Sequence, residues 1–221
     1  MVHPGEPTRL ADDEYTWVMH WAKRGGPDDP DEISRYRDLC ARLNDTISDP
    51  EHQERTAYHE AAHAVVAHAL RFGVTHASIA DNHSGKAHWT APVKFVPTPE
   101  QARQNLLNQA TASAAGYVAE QMKWGRGRGA EQGLMNDVTY WLYKLYEIEW
   151  PPPERVRSAL AGVAGLPIML AAAALVEQQE ESAQAILRSN WATVERLAAR
   201  LLTQRRIEGA ELAALLVDVK A

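Results

Sequence analysis

Cysteine and positive charge are both scarce in this chain of 221 residues. Cys40 is the only cysteine, which excludes a disulfide framework and any metal site built from thiolates. The formal net charge is −6, so the protein has no overall positive field that would attract nucleic acid or acidic lipid. We therefore expect no nucleic-acid partner, and the single cysteine fits a reducing compartment such as the cytoplasm.

Long apolar runs are missing as well. The first 15 residues carry four acidic side chains and no apolar core, so they do not resemble a secretory signal. The stretch 158–176 is long enough to span a bilayer, but seven alanines, two glycines and a proline make it only weakly apolar. We interpret it as a buried, alanine-rich helix that begins or kinks at Pro167, and we expect no membrane association.

Helical spacing of apolar residues dominates the rest of the chain. Two helices are predicted before residue 50, the second of them capped by Asp31. A longer helix is predicted from about residue 50 to residue 72, with Gly73 as its left-handed cap. Residues 98 and 99, a threonine followed by a proline, are typical of another helix start.

The exception to this spacing is the segment that follows Gly73. Alternating residues around the turn sequence NHSGK predict a hairpin with strands at Val74 to Ala80 and Lys86 to Val93. The sequence therefore predicts a mainly α fold with a small β-hairpin or sheet.

The stretch TAYHEAAHAVVAHAL, residues 56–70, contains His59, Glu60 and His63 in the pattern HExxH. Residues four apart lie one turn above each other on one helix face, so both imidazoles can reach one zinc ion. Glu60, beside the first histidine, can take a proton from a zinc-activated water. The alternative is a chance match, because a helix this rich in alanine forms without any metal.

A zinc site also needs a third protein ligand. A metzincin would have histidine six residues after His63, where this chain has Ala69. His68 is turned about 140° away around the helix and cannot reach the same ion. The histidines in or near the predicted hairpin could approach the site, although a surface position is the simpler expectation for each: His76, His83 and His88. From the residues alone the third ligand stays open.

A second stretch, GAEQGLMNDVTYWLYKL, places Asn136 and Asp137 at the start of a predicted helix. Together with TAYHEAAHAVVAHAL it resembles the peptidase domain of the FtsH family of ATP-dependent zinc proteases. Weaker matches support the resemblance at ASAAGYVAEQM, residues 112–122, and at the C-terminal AILRSNWATVERLAARLLTQRRIEGAELAALL. The likeness covers about residues 52 to 217, in the same order as in that family.

The resemblance implies a zinc-dependent endopeptidase that hydrolyses peptide bonds in unfolded or flexible polypeptides. His59, His63 and Asp137 would hold the zinc, Glu60 would be the general base, and Glu120 would orient a ligating imidazole. The peptidase domain would occupy residues 51–221, with its small sheet beside the HExxH helix, after a helical extension over residues 1–50. The substrate would pair as an added strand along an edge of the hairpin.

The sequence also departs from that family. Ala62 stands where the family has glycine, and the residues ahead of the Asn-Asp pair are not its small, hydroxyl-bearing ones. The sequence contains no GxxxxGK[S/T] loop, so we expect no ATPase domain in this chain. An ATPase or unfoldase that acts in trans is a candidate partner, and a homo-oligomer is a candidate assembly. The alternative from another class is a non-catalytic, zinc-binding helical adaptor or regulator.

Overall fold

The computed structural model describes residues 11–22, 27, 29–45, 49–80, 84–90, 98–125 and 166–221. Within these ranges the chain forms helices α1 (Asp12–Ala22), α2 (Pro30–Asp45), α3 (Asp49–Ala69), α4 (Pro99–Trp124), α5 (Leu166–Gln204) and α6 (Gly209–Leu216). It also forms three strands, β1 (Gly73–Ile79), β2 (Gly85–Thr90) and β3 (Arg206–Glu208). The prediction of a mainly helical fold with a small sheet is confirmed.

Helices α1 and α2 pack against each other around a small apolar contact of their own. Val18 and Leu39 are its buried members. The Asp29 side chain accepts hydrogen bonds from the backbone N–H groups of Asp31, at 2.9 Å, and Glu32, at 3.2 Å. Asp29 therefore caps α2, and the prediction that Asp31 is the cap is wrong.

The main core lies where α3, α4 and α5 pack against one another. Small residues of α4, among them Ala112 and Gly116, contact α3, and the core contains many other fully buried alanines. Small side chains at a helix–helix contact allow the two backbones to lie close together. Polar side chains of α3 can therefore reach the backbone of α4, and this is what builds the site described below.

The sheet is antiparallel, with the strand order β2-β1-β3. It packs on α3, and the buried Ala77 and Ile207 face the core. The predicted hairpin is confirmed, although each strand begins one residue earlier than expected. Strand β3 was not predicted, because three residues between two helical patterns carry only one apolar side chain, Ile207, and no readable alternation.

The end of α3 differs from the prediction. The helix stops at Ala69, and the residue with a left-handed backbone is Arg71, with φ 68°. Gly73, the expected cap, is already the first residue of β1. Arginine is an uncommon choice for this conformation, so sequence preference alone points to the wrong residue.

The predicted start of α4 is confirmed. Thr98 accepts a hydrogen bond from the backbone N–H of Gln101, whose side chain accepts one from the backbone N–H of Thr98. Helix α5 begins at Leu166, directly before Pro167, as expected. In the ranges that the structure describes, no helix is both long enough and apolar enough to cross a bilayer.

Candidate metal centre

Two rows of residues face each other across the contact between α3 and α4. Arg55, His59 and His63 are spaced four apart on α3, so they share one face of that helix. Opposite them on α4 lie Ala112, Gly116 and Glu120, also spaced four apart. The rows run in opposite directions: His63 contacts Ala112, and His59 contacts Gly116 and Glu120.

His63 is oriented by the backbone of α4. Its Nδ1 lies 2.6 Å from the carbonyl oxygen of Ala112. A carbonyl only accepts hydrogen bonds, so Nδ1 carries the proton and Nε2 keeps its lone pair. Burial, followed by the charge of His59, lowers the pKa of His63 to about 3. His63 is therefore a neutral imidazole at physiological pH, which is the form that binds metal.

His59 is oriented by a side chain of α4. Its Nδ1 lies 2.9 Å from Oε1 of Glu120, whose side chain is only 2% exposed. With the carboxylate accepting at Nδ1, the lone pair of His59 is again on Nε2. The His59 side chain is 24% exposed, and its ring centroid is 4.6 Å from that of His63. The two imidazoles therefore present the same nitrogen from adjacent positions.

Two glycines provide the space that the site residues occupy. A Cβ atom at Gly116 would lie 2.4 Å from both Cδ2 and Nε2 of His59. A Cβ atom at Gly85, in β2, would lie 2.5 Å from Cγ and 2.6 Å from Oε1 of Glu60. All of these distances are far shorter than ordinary van der Waals contacts. Only glycine at these two positions is compatible with the observed places of His59 and Glu60.

Strand β2 forms one wall of the site. Gly85 and Trp89 lie on the same face of β2, with Gly85 against the buried Glu60 and Trp89 against His63, 5.7 Å between ring centroids. The Trp89 indole N–H donates to Oε1 of Gln109 on α4 at 2.7 Å. This hydrogen bond fixes the indole beside the second histidine.

Contacts within the structure join His59 to His63 and to Glu120, and the fourth predicted site residue, Glu60, follows His59 on α3 and packs against Gly85. The fifth, Asp137, lies outside the described residues, as does His83. His76 and His88 stack on each other, with ring centroids 5.4 Å apart. They alternate with the core-facing Ala77 and Trp89 and therefore lie on the opposite face of the sheet.

The roles of Gly85, Gly116 and Trp89 could not be predicted from the sequence. A glycine inside a strand or helix is a signal that something approaches the backbone closely, and that signal was present at Gly85 and Gly116. It does not tell which side chain approaches.

The donor set fits zinc as far as it is described. Both histidines have Nδ1 hydrogen-bonded, as zinc-binding histidines usually do, and the tautomer that this implies leaves a lone pair on Nε2. Imidazole nitrogen is among the ligands that zinc prefers. Within the described ranges, no group of three histidine, cysteine, aspartate or glutamate side chains is arranged to hold a metal ion. Asp137 as the third ligand therefore stays a prediction.

Comparison of the chain with protein-family models and with characterised proteins finds no match in either case.

Proposed function

We propose that the protein is a zinc-dependent endopeptidase that acts on unfolded or flexible polypeptides. The observation that carries this proposal is the pair His59 and His63. The Nδ1–H of each donates to an oxygen of α4, and the buried Glu60 lies between them in the sequence. The resemblance of the sequence to the FtsH peptidase domain gives the same assignment independently of these contacts.

His59 and His63 would hold the zinc through Nε2, and Asp137 would be the third ligand. Zinc bound there would supply Lewis acidity, which activates water and polarises a peptide carbonyl. Glu60 accepts the proton that the attacking water loses, and then donates it to the departing amine. Because Glu60 is packed against Gly85, its carboxylate has a defined position from which to do both.

An extended polypeptide is the substrate that the surroundings of the site favour. Strand β2 is at the edge of the sheet, and its other side is not paired with any strand that the structure describes. That edge runs past Glu60 at Gly85 and past His63 at Trp89. A substrate strand pairing with β2 would be held by backbone hydrogen bonds, which select extended chains with little regard to sequence.

The alternative of a zinc-binding adaptor is less well supported by the same geometry. A structural zinc site has four protein ligands and no open position, and it has no use for a carboxylate held beside the metal-binding histidines. Glu60 follows His59 directly in the sequence and occupies space that only a glycine at residue 85 leaves free.

The test compares zinc content and cleavage of a fluorescently labelled, disordered polypeptide in four forms of the full chain. We expect Glu60→Gln to keep zinc and lose about 10²–10⁴-fold in turnover, and Asp137→Ala to lose both. Glu54→Gln is the matched control, because Glu54 is on the same helix but its partner is Lys123, at 3.0 Å. Cleavage by Glu60→Gln at the wild-type rate would contradict the proposal, and bound zinc without cleavage in the wild type would favour the adaptor.

The proposed activity also has consequences for the partners and the cellular location of the protein. We expect the peptidase to cut chains that are already flexible, or chains that an ATPase unfolds in trans. We place the activity in the cytoplasm, and a homo-oligomer is compatible with it.

A further inference from the structure

We propose that Arg55 is a positioning residue of the zinc site, which acts by holding Glu120 in the orientation that binds His59. This inference rests on the proposed zinc site and adds a residue to it that neither the HExxH pattern nor the resemblance assigns. Arg55 lies one helical turn before His59 on the same face of α3.

The two oxygens of Glu120 face different partners. Oε1 lies 2.9 Å from Nδ1 of His59, whereas Oε2 lies 3.8 Å from Nη1 of Arg55. The carboxylate therefore spans the gap between two residues of α3 that are one turn apart. Because the guanidinium attracts Oε2, Oε1 is directed at Nδ1 of His59.

Arg55 is itself held firmly. Its side chain is 8% exposed, and its Nε and Nη2 donate to Oε1 of Glu51 at 3.0 and 2.8 Å. The centre of the guanidinium lies 4.6 Å from the ring centroid of Trp124. A planar group fixed by a carboxylate and an aromatic ring is a rigid reference point, unlike a long cation that moves in solvent.

Glu120 needs such a partner because it is buried. A buried carboxylate is costly unless opposite charge and hydrogen bonds compensate it, and His59 supplies one N–H, from Nδ1. Without the guanidinium, the carboxylate would be drawn towards other donors and would leave His59 without its orienting contact. Residues that orient metal-binding histidines typically contribute about 10–100-fold to metal affinity.

An ordinary ion pair between helices would give a different result, because it would contribute to folding and leave zinc affinity unchanged. The experiment therefore measures zinc dissociation constants of the full chain by competition with a chromophoric chelator. Melting temperatures are measured on the same proteins with excess chelator, which reports the stability of the metal-free fold.

We expect Arg55→Met to weaken zinc binding by about 10–100-fold and Arg55→Lys to restore part of the loss. Lys123→Met is the matched control: it removes a cation from the same α3–α4 seam, where Lys123 contacts Glu54 and the ring of Tyr58. Its zinc affinity should equal that of the wild type.

A double-mutant cycle tests whether Arg55 acts through Glu120. In a Glu120→Gln background, Arg55→Met should cause no further loss of zinc affinity, because the group it positions is gone. An undiminished loss in that background, or wild-type affinity in Arg55→Met, would overturn the inference. If Arg55→Met does not fold, the same double-mutant cycle is measured with Arg55→Lys. Its loss of zinc affinity should likewise disappear in the Glu120→Gln background, and an undiminished loss would overturn the inference.

The two proposals fail differently. A wild-type protein that binds no zinc would overturn the proposed function and this inference with it. A wild-type protein whose zinc affinity does not depend on Arg55 would overturn only this inference.

Discussion

Replacing Gly116 with alanine should weaken zinc binding at the proposed site without unfolding the protein. The added Cβ would lie 2.4 Å from Cδ2 and Nε2 of His59, whereas non-bonded carbon atoms are about 3.5–4.0 Å apart at best separation. The imidazole would have to move by roughly 1 Å or more to relieve this overlap. Zinc–nitrogen bonds of about 2.0–2.1 Å tolerate only about 0.2 Å of deviation, so the pair could no longer bind one ion.

The fold should change much less than the metal site. Alanine is better than glycine in a helix interior by about 1 kcal/mol, and overpacking a close contact costs about 1–3 kcal/mol. These two effects partly cancel, and the ring of His59 can move towards solvent because its side chain is 24% exposed. We therefore expect zinc affinity to fall by at least about tenfold, with a loss of at most about 2 kcal/mol in the free energy of unfolding.

Gly125→Ala is the control for this prediction. Gly125 follows the last residue of the same helix, and a Cβ there would meet nothing within 4 Å. Its φ of 72° is left-handed, so alanine should cost about 1–2 kcal/mol in stability and leave zinc affinity unchanged. The assay is chelator competition for zinc, paired with denaturant unfolding in excess chelator. Zinc binding by Gly116→Ala with wild-type affinity would refute this reasoning.

Three further substitutions separate turnover, metal binding and folding. Gly85→Ala should abolish cleavage and keep zinc, because its Cβ would displace Glu60 and none of the zinc ligands. Turnover and zinc content are measured on the same sample, and unchanged turnover would contradict the prediction. Thr98→Ala should cost about 1 kcal/mol in denaturant unfolding through loss of the capping hydrogen bond to Gln101, with turnover as the control that must not change. Ile207→Ala should lower the free energy of unfolding by about 2–5 kcal/mol, because Ile207 is 1% exposed and is the core-facing residue of β3. A loss below about 1 kcal/mol in denaturant unfolding would mean that Ile207 does not anchor β3 to the core.

Features that depend on local chemistry could be predicted from the sequence. Thr98 and Pro99 mark a helix start because the capping groups are adjacent in the chain. HExxH places its two histidines on one face because a helix returns to the same side every four residues. The hairpin follows from alternation around a short turn. Each of these signals lies within a few residues of what it predicts.

Features that depend on distant partners could not be predicted in the same way. The clearance that Gly116 gives His59 depends on how closely α4 approaches α3, and the position of Glu60 against Gly85 depends on where β2 lies on α3. Arg71, rather than Gly73, takes the left-handed position because the chain must already be extended at residue 73 to pair with β2. The contact between Glu120 and His59 is a partial exception, because the segment at residues 112–122 already suggested that Glu120 orients an imidazole.

The most direct test of the central claim is a crystal structure of the zinc-soaked protein, with anomalous scattering recorded across the zinc absorption edge. The account predicts one anomalous peak about 2.0–2.1 Å from Nε2 of His59 and Nε2 of His63, with the Asp137 carboxylate as the third protein ligand and Glu60 beside the open position. A peak with four protein ligands, an Asp137 carboxylate remote from the peak, or no peak between the two histidines would contradict it.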